Sequence, residues 1–287
     1  MVKSHSEKIM NVVNIVLITI LSLTFILPVF LILSASVSTS TSFARYGYTL
    51  IPKAVDFFAY EYVLFSNSLF LRSLANSVFV TVIGTFLMVA NCALYAFALV
   101  QKEFVGRKFF SLYAVFTMLF AGGTIPYYLV VTGIGLSNSL WAIILPGSVS
   151  AWNILLMRNF FSAIPPSLTE AAQLDGASFT KILIKVILPT SFPVIATVIL
   201  FTAVGFWNNW FGPLLFIDKA HRESAPIQSL LRDILEDAAS VVGQNTDLPT
   251  EAIKNATVVV ATLPIVIVYP MLQKYFINGV ILGSVKE

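Results

Sequence analysis

A chain of 287 residues in which 57% are hydrophobic and only 11% are charged is too apolar to be a soluble domain. The formal net charge of +3 is too small to indicate a nucleic-acid-binding surface, and the single cysteine, Cys92, excludes an internal disulfide. Long uncharged runs instead indicate an integral membrane protein.

Six apolar segments are long enough to cross a bilayer as a helix, which takes about 20 residues. The first, 11–34, is longer than the core of a signal peptide and lacks a clear cleavage site, so we interpret it as a retained span. The predicted fold class is an all-α integral membrane protein with six transmembrane helices in a single domain over residues 1–287. In chain order, the spans are predicted at residues 11–34, 74–100, 109–131, 140–161, 190–217 and 256–276.

Six spans place both termini on the same side of the membrane. If that side is the cytoplasm, ten of the 17 Lys and Arg residues lie in short inner segments and seven lie in longer outer loops. Short cytoplasmic segments carry an excess of Lys and Arg, so this orientation obeys the positive-inside rule. We therefore predict cytoplasmic termini, a cytoplasmic loop at 162–189 and an outer loop at 218–255.

The interiors of the predicted spans contain no Asp, Glu, Lys or His. Ion- and proton-coupled transporters usually need ionisable groups within the membrane, so their absence argues against an energy source inside this chain. The sequence has no G-x-x-x-x-G-K-[ST] loop for ATP. His5 and His221 fall on opposite sides of the membrane, which leaves a serine nucleophile without a base. We therefore predict that the chain is not an enzyme and has no catalytic or metal-binding residues.

The cytoplasmic loop 162–189 contains a structured polar stretch. Ser167 and Glu170 have the spacing of a capping box, which predicts the start of a short helix. Asp175 and Gly176 predict its end, because glycine readily adopts the left-handed backbone of a helix C-terminus. A second short helix is predicted by apolar residues at helical spacing, which are Phe179, Ile182, Leu183, Val186 and Ile187.

This stretch closely resembles the EAA loop of bacterial ABC-importer permeases, in the carbohydrate-uptake family that includes maltose transporters. The matching blocks are Glu170-Ala171-Ala172, Asp175-Gly176-Ala177 and, further on, Leu188-Pro189. The resemblance covers nearly the whole chain, and segments 119–126 and 157–161 look like the polysaccharide or oligosaccharide sub-branch. It implies a coupling helix–turn–helix that docks on a soluble ATPase through Glu170, Ala171, Ala172, Asp175, Gly176, Ala177 and Pro189.

The same resemblance implies a multi-pass permease domain in the bacterial cytoplasmic (inner) membrane, which forms half of an oligosaccharide pathway. Its implied partners are a second homologous permease, two ABC ATPase subunits and an extracytoplasmic solute-binding protein, with no nucleic acid. The chain itself is expected to hold no cofactor, because ATP and Mg would bind to the partner ATPase. The alternatives are an ABC permease for a non-sugar solute and a passive channel or scaffold.

The outer loop 218–255 has two parts. Apolar residues at helical spacing predict an amphipathic helix between Ile227 and Leu235, and an irregular stretch follows at 241–249. The helix could equally anchor the outer rim at the membrane interface. In the family that this chain resembles, the corresponding loop probes the solute-binding protein, which implies contacts at Gly243, Gln244, Asn245 and Thr246.

Tryptophan and asparagine residues in the predicted spans are candidates for the substrate pathway. Indole rings stack on sugar rings, and amides can form hydrogen bonds with sugar hydroxyls. Two alternatives remain open, because tryptophans also form belts at membrane interfaces and buried amides also join neighbouring helices. The candidates are Asn91, Trp152, Asn153, Trp207, Asn208 and Asn209.

Overall fold

The computed structural model describes residues 5–66, 68–236 and 250–284. This described part is nearly all helical, and its only β-structure is an isolated bridge between Ser38 and Val55. The chain divides into two compact units. One comprises Met1–Phe70 and Leu231–Thr262, and the other comprises Leu71–Leu230 and Leu263–Glu287.

Three long helices correspond to the first, second and sixth predicted spans. They are α1 (His5–Ser36), α4 (Ser68–Val100) and a C-terminal helix, α15 (Thr250–Ser284). Each contains an apolar stretch that is long enough to cross a membrane. Residues 250–255 are therefore helical, and the extent of the outer loop, 218–255, remains a prediction. Hydropathy detects only the apolar part of a helix, whereas α15 begins with the polar residues Thr250 and Glu251.

The polar side chains of α1 form hydrogen bonds within their own helix. The hydroxyls of Thr19, Ser22 and Thr24 each donate to the carbonyl oxygen four residues earlier, at 2.7 Å. A hydroxyl that is bonded in this way needs no partner from another helix. These three residues are therefore compatible with a lipid-facing span.

The third predicted span, 109–131, consists of two helices. They are α5 (Arg107–Leu119) and α6 (Thr124–Gly133), and their axes are bent by 118°. The break contains Gly123, whose φ of +86° lies in a region that other residues rarely adopt. The glycine permits a turn inside this apolar run, and a span over 109–131 remains a prediction.

The fourth and fifth predicted spans are also interrupted, and their bounds of 140–161 and 190–217 remain predictions. The fourth is divided at Pro146, which has no backbone N–H and starts a 3₁₀ turn. The fifth is divided after Trp207, where the side chain of Asn209 accepts a hydrogen bond from the Gly212 N–H at 2.9 Å. The resulting helices are α7 (Trp141–Ile144), α8 (Ala151–Ser162), α12 (Phe192–Trp207) and α13 (Phe211–Phe216).

Within the described residues, three helices are long and apolar enough to span a membrane, or up to five segments if each bent pair counts as one span. The second bent pair joins 179–190 to α12 at 84°. The count of six spans remains a prediction. The shorter helices are α2 (Ser40–Tyr46), α3 (Phe58–Glu61), α9 (Pro166–Leu174), α10 (Phe179–Ile182), α11 (Leu188–Thr190) and α14 (Ile227–Glu236).

Candidate functional site

The first helix of the 162–189 loop, α9, begins with two prolines. Pro166 occupies the first helical turn, where its missing N–H leaves no intrahelical bond unmade. Ser167 therefore already lies inside the helix, and no side chain caps it. Our prediction of a capping box formed by Ser167 and Glu170 is wrong, because the helix starts two residues earlier than that motif requires.

The end of α9 follows the prediction closely. Gly176 has a φ of +75°. Its N–H donates to Gln173 O at 2.9 Å, and the N–H of Ala177 donates to Ala172 O at 3.0 Å. These two bonds form a Schellman motif, which satisfies carbonyl groups at the helix end and reverses the chain direction.

The second helical segment is buried on one side, as its spacing predicts. The hydroxyl of Ser178 accepts a hydrogen bond from the Lys181 N–H at 3.4 Å and thereby caps α10. A π-helical turn at Leu183–Ile187 then continues into α11. Ile182, Leu183 and Ile187 are buried, whereas Phe179, which we also placed on this apolar face, is half exposed.

This buried face is part of the main hydrophobic core of its unit. The core also contains side chains from the C-terminal half of α4, from α8 and from α12, including Phe97, Met157 and Val194. Ala172 and Ala177 pack against the same core from either side of the Schellman turn. A force applied to α9 would therefore reach three long helical segments through close-packed side chains.

The opposite side of α9 is open to solvent. Ala171 is exposed, and Leu174 at the end of the helix is 90% exposed. Glu170 forms no ion pair within the described residues and lines a cavity of about 290 Å³ together with Lys102, Glu103 and nearby residues. Asp175, Gly176 and Pro189 are also exposed. An exposed leucine beside small and charged residues is a surface that a partner can cover.

Some of the predicted pathway residues lie together. Trp152, Asn153 and Asn209 line one cavity of about 370 Å³. Trp152 is 63% exposed. Asn153 is buried, with its amide nitrogen 3.7 Å from Met88 Sδ. The arrangement offers a flat aromatic ring and amide groups to a ligand, with no charged residue in the lining.

The other predicted pathway residues are elsewhere. Trp207 is 5% exposed and lines a separate apolar cavity of about 200 Å³. Asn91 donates its amide N–H to Ser148 O at 3.1 Å, which joins α4 to the break between α7 and α8. Asn208 ends α12 as its C-cap. The Asn91 amide therefore connects two helical elements, and Gly243, Gln244, Asn245 and Thr246 lie outside the described residues.

Two further residues of the 370 Å³ cavity were not predicted as pathway residues from the sequence. Thr202 carries a buried hydroxyl without a hydrogen-bond partner. Phe206 lies between two glycines, and a Cβ atom built on Gly84 or Gly147 would approach its ring to 2.6 or 2.8 Å. Hydropathy does not distinguish these positions from other apolar-segment residues, and only the packing of α12 against neighbouring elements reveals them.

No model of a protein family matches the sequence. The permease protein YtcP of the polygalacturonan/rhamnogalacturonan transport system of Bacillus subtilis (strain 168) is 41% identical over 267 residues, which cover 91% of this chain and 92% of the relative. The chain belongs to the carbohydrate ABC transporter permeases. Another relative of this permease is AraQ of the arabinooligosaccharides transport system of the same organism, at 26% identity over 270 residues, 93% of this chain and 92% of AraQ.

A solved structure has the same fold as this permease. It is the crystal structure of a bacterial ABC transporter involved in the import of the acidic polysaccharide alginate, with a TM-score of 0.87 and 33% sequence identity. The match covers 96% of this permease and 99% of that chain. Together with the long apolar helices, the relationship identifies a multi-pass membrane protein.

Proposed function

We propose that this permease is a transmembrane subunit of an ATP-driven importer for oligosaccharides and forms half of the translocation pathway. The observation that carries the proposal is the construction of residues 166–190. Their exposed helix α9 is joined by the Schellman turn at Gly176 to a segment buried in the helical core. The relatives YtcP and AraQ belong to transport systems for polygalacturonan/rhamnogalacturonan and for arabinooligosaccharides, which supports a carbohydrate cargo.

In the proposed mechanism, α9 docks in a groove on an ATPase subunit as a helix-in-groove contact. Leu174 and Ala171 would fill the groove, and Glu170 would offer its unpaired charge to the partner. ATP binding would close the two ATPase subunits, the coupling segment would transmit this closure to α4, α8 and α12, and the cavity would turn outward. Hydrolysis would return it inward. ATP and Mg would stay on the ATPase, and this chain would hold no cofactor.

The proposed topology has six crossings and cytoplasmic termini in the cytoplasmic membrane of a bacterium. The bent pair α5–α6 would form one crossing and the broken pair α7–α8 another. A second related permease would complete the pathway, and an extracytoplasmic binding protein would deliver the sugar. The stretch Gly243–Thr246 is proposed as a contact with that binding protein, by resemblance to the family.

The 370 Å³ cavity is the proposed sugar-contact region of this chain. Trp152 would stack on a sugar ring, because its indole is largely exposed there. The unpaired hydroxyl of Thr202 and the amides of Asn153 and Asn209 would form hydrogen bonds with sugar hydroxyls, which removes the cost of burying a polar group without a partner.

Co-purification tests the proposal directly. The tagged permease is extracted in mild detergent, and its partners are identified by mass spectrometry. Recovery of a P-loop ATPase and a second permease with an EAA loop is expected, and the associated binding protein is then screened against oligosaccharides. A chain that purifies alone as a stable monomer or homo-oligomer would favour the channel or scaffold instead. If the transporter takes up amino acids, peptides or anions in preference to sugars in a competition assay, the proposed carbohydrate cargo is wrong.

A further inference from the structure

A further cavity, of about 460 Å³, lies between α5 and α8 and is strongly basic. Its lining consists of Arg107, Lys108, Ser111, Leu112, Val115 and Arg158. We refer to it as the basic groove. Three of the six lining residues are cations, and none is acidic. The groove therefore presents a concentrated positive charge that the coupling mechanism does not use.

Within the part of the chain that the structure describes, the cations of the basic groove have no ion-pair partner. Arg158 is half-buried and donates a hydrogen bond from Nη1 to Ser111 Oγ at 3.1 Å, which holds the guanidinium toward α5. Across the described residues, no carboxylate forms an ion pair with Arg107, Lys108 or Arg158. A half-buried guanidinium without a carboxylate is a site where an anion would gain charge-assisted hydrogen bonds.

The surroundings of the groove resemble those of a membrane–water boundary. Phe109 and Tyr113 lie beside it on α5, are exposed and stack on each other with ring centroids 6.4 Å apart. Tyrosine is enriched at the headgroup level of a bilayer, and exposed Tyr113 fits that position. Beyond them the exposed face of α5 is apolar as far as Leu119, roughly 18 Å along the helix from Arg107.

We propose that the basic groove binds the phosphodiester headgroup of an anionic phospholipid. The phosphate would contact Arg158 and the cations at the start of α5, and an acyl chain would lie against Leu112 and Val115. A soluble phosphate would use the cations and leave that apolar wall uncovered, which is why the lining favours a lipid. The assignment of this lipid to the cytoplasmic leaflet rests on the proposed topology, whereas binding itself needs only the membrane location.

Native mass spectrometry of the full-length permease tests the proposal. The protein is titrated with phosphatidylglycerol and, separately, with phosphatidylcholine of the same acyl chains. We expect preferential retention of phosphatidylglycerol. Arg158→Gln and Lys108→Gln should each reduce that preference about fivefold, since one Lys or Arg near an anionic lipid surface strengthens binding by about that factor. Lys108 is exposed, so its variant is expected to fold even if Arg158→Gln does not. Lys181→Gln, an exposed cation outside the groove, is the matched control and should keep the preference.

Three results would overturn the assignment. One is an unchanged lipid preference in both variants at a wild-type unfolding temperature. Another is displacement of the lipid by millimolar glycerol 3-phosphate, which would make the site one for soluble phosphate esters. The third is that the variants keep the lipid but no longer co-purify with partner subunits, which would make the groove a protein contact. Because lipid binding is measured on the isolated chain, failure of the importer proposal would leave this test valid.

Discussion

Replacement of Gly176 tests the coupling mechanism at one backbone position. A Cβ atom added to Gly176 would meet no atom within 4 Å, so the Cβ of a larger residue is accommodated without a clash. The cost comes from the φ of +75°, at which an L-residue is strained by about 1–2 kcal/mol and a β-branched residue by more. A strain of that size lowers the population of the native turn relative to a relaxed one by about 5- to 30-fold.

We expect Gly176→Val to insert in the membrane and fold, but to separate ATP hydrolysis from transport. The turn sets the angle between exposed α9 and the buried segment 179–190, and a relaxed turn would leave α9 misaligned in the ATPase groove. The assay is sugar uptake into proteoliposomes that contain the assembled transporter, with ATP hydrolysis measured on the same sample. Uptake per ATP hydrolysed should fall about tenfold or more if the strain is about 1.4 kcal/mol or greater.

A graded series separates backbone conformation from side-chain size. Asparagine tolerates the left-handed region better than alanine or valine, so Gly176→Asn should retain the most coupling, Gly176→Ala less and Gly176→Val least. Gly133→Ala is the matched control, because Gly133 also has open space around it but lacks a positive φ. Wild-type uptake in Gly176→Val would refute the reasoning. Equal damage from Asn and Val would show that bulk at the ATPase contact matters, and not the turn.

Three further perturbations follow from the structure. Leu174→Asp should change the free energy of unfolding of the isolated chain by no more than about 0.5 kcal/mol, because the side chain is 90% exposed. The same substitution should nevertheless reduce the amount of ATPase that co-purifies. Ile51→Asp is the control and should not reduce it, because Ile51 is 75% exposed in a loop predicted on the other side of the membrane. Gly84→Ala should lower the unfolding temperature through a cost of about 1–3 kcal/mol, because its new Cβ would lie 2.6 Å from the Phe206 ring. In a Phe206→Ala background, Gly84→Ala should be nearly neutral for stability. If the two substitutions instead lower the free energy of unfolding additively, Gly84 and Phe206 are not in contact. Trp152→Ala should weaken sugar uptake without loss of stability, and unchanged apparent affinity would remove the stacking role.

Local sequence patterns determined much of the structure of residues 166–190. The left-handed residue at Gly176 is a local consequence of backbone sterics, and the burial of Ile182, Leu183 and Ile187 follows from helical periodicity. The start of α9 was predicted two residues too late because two start signals overlap. Pro166 and Ser167 each favour a helix N-terminus, and the proline took the first turn.

Span interruptions and the lining of the cavity were decided by tertiary structure. Hydropathy measures transfer from water to lipid, and it is blind to a break whose polar groups are bonded to neighbouring elements. The amide of Asn91 bonds to Ser148 O across such a break, and Asn209 bonds to Gly212 at another. Asn91 and Asn153 are equally plausible sugar ligands in the sequence, yet only Asn153 lines the cavity that holds Trp152. Which amide joins helices and which faces a cavity depends on how the helices pack, and that information is absent from any single segment.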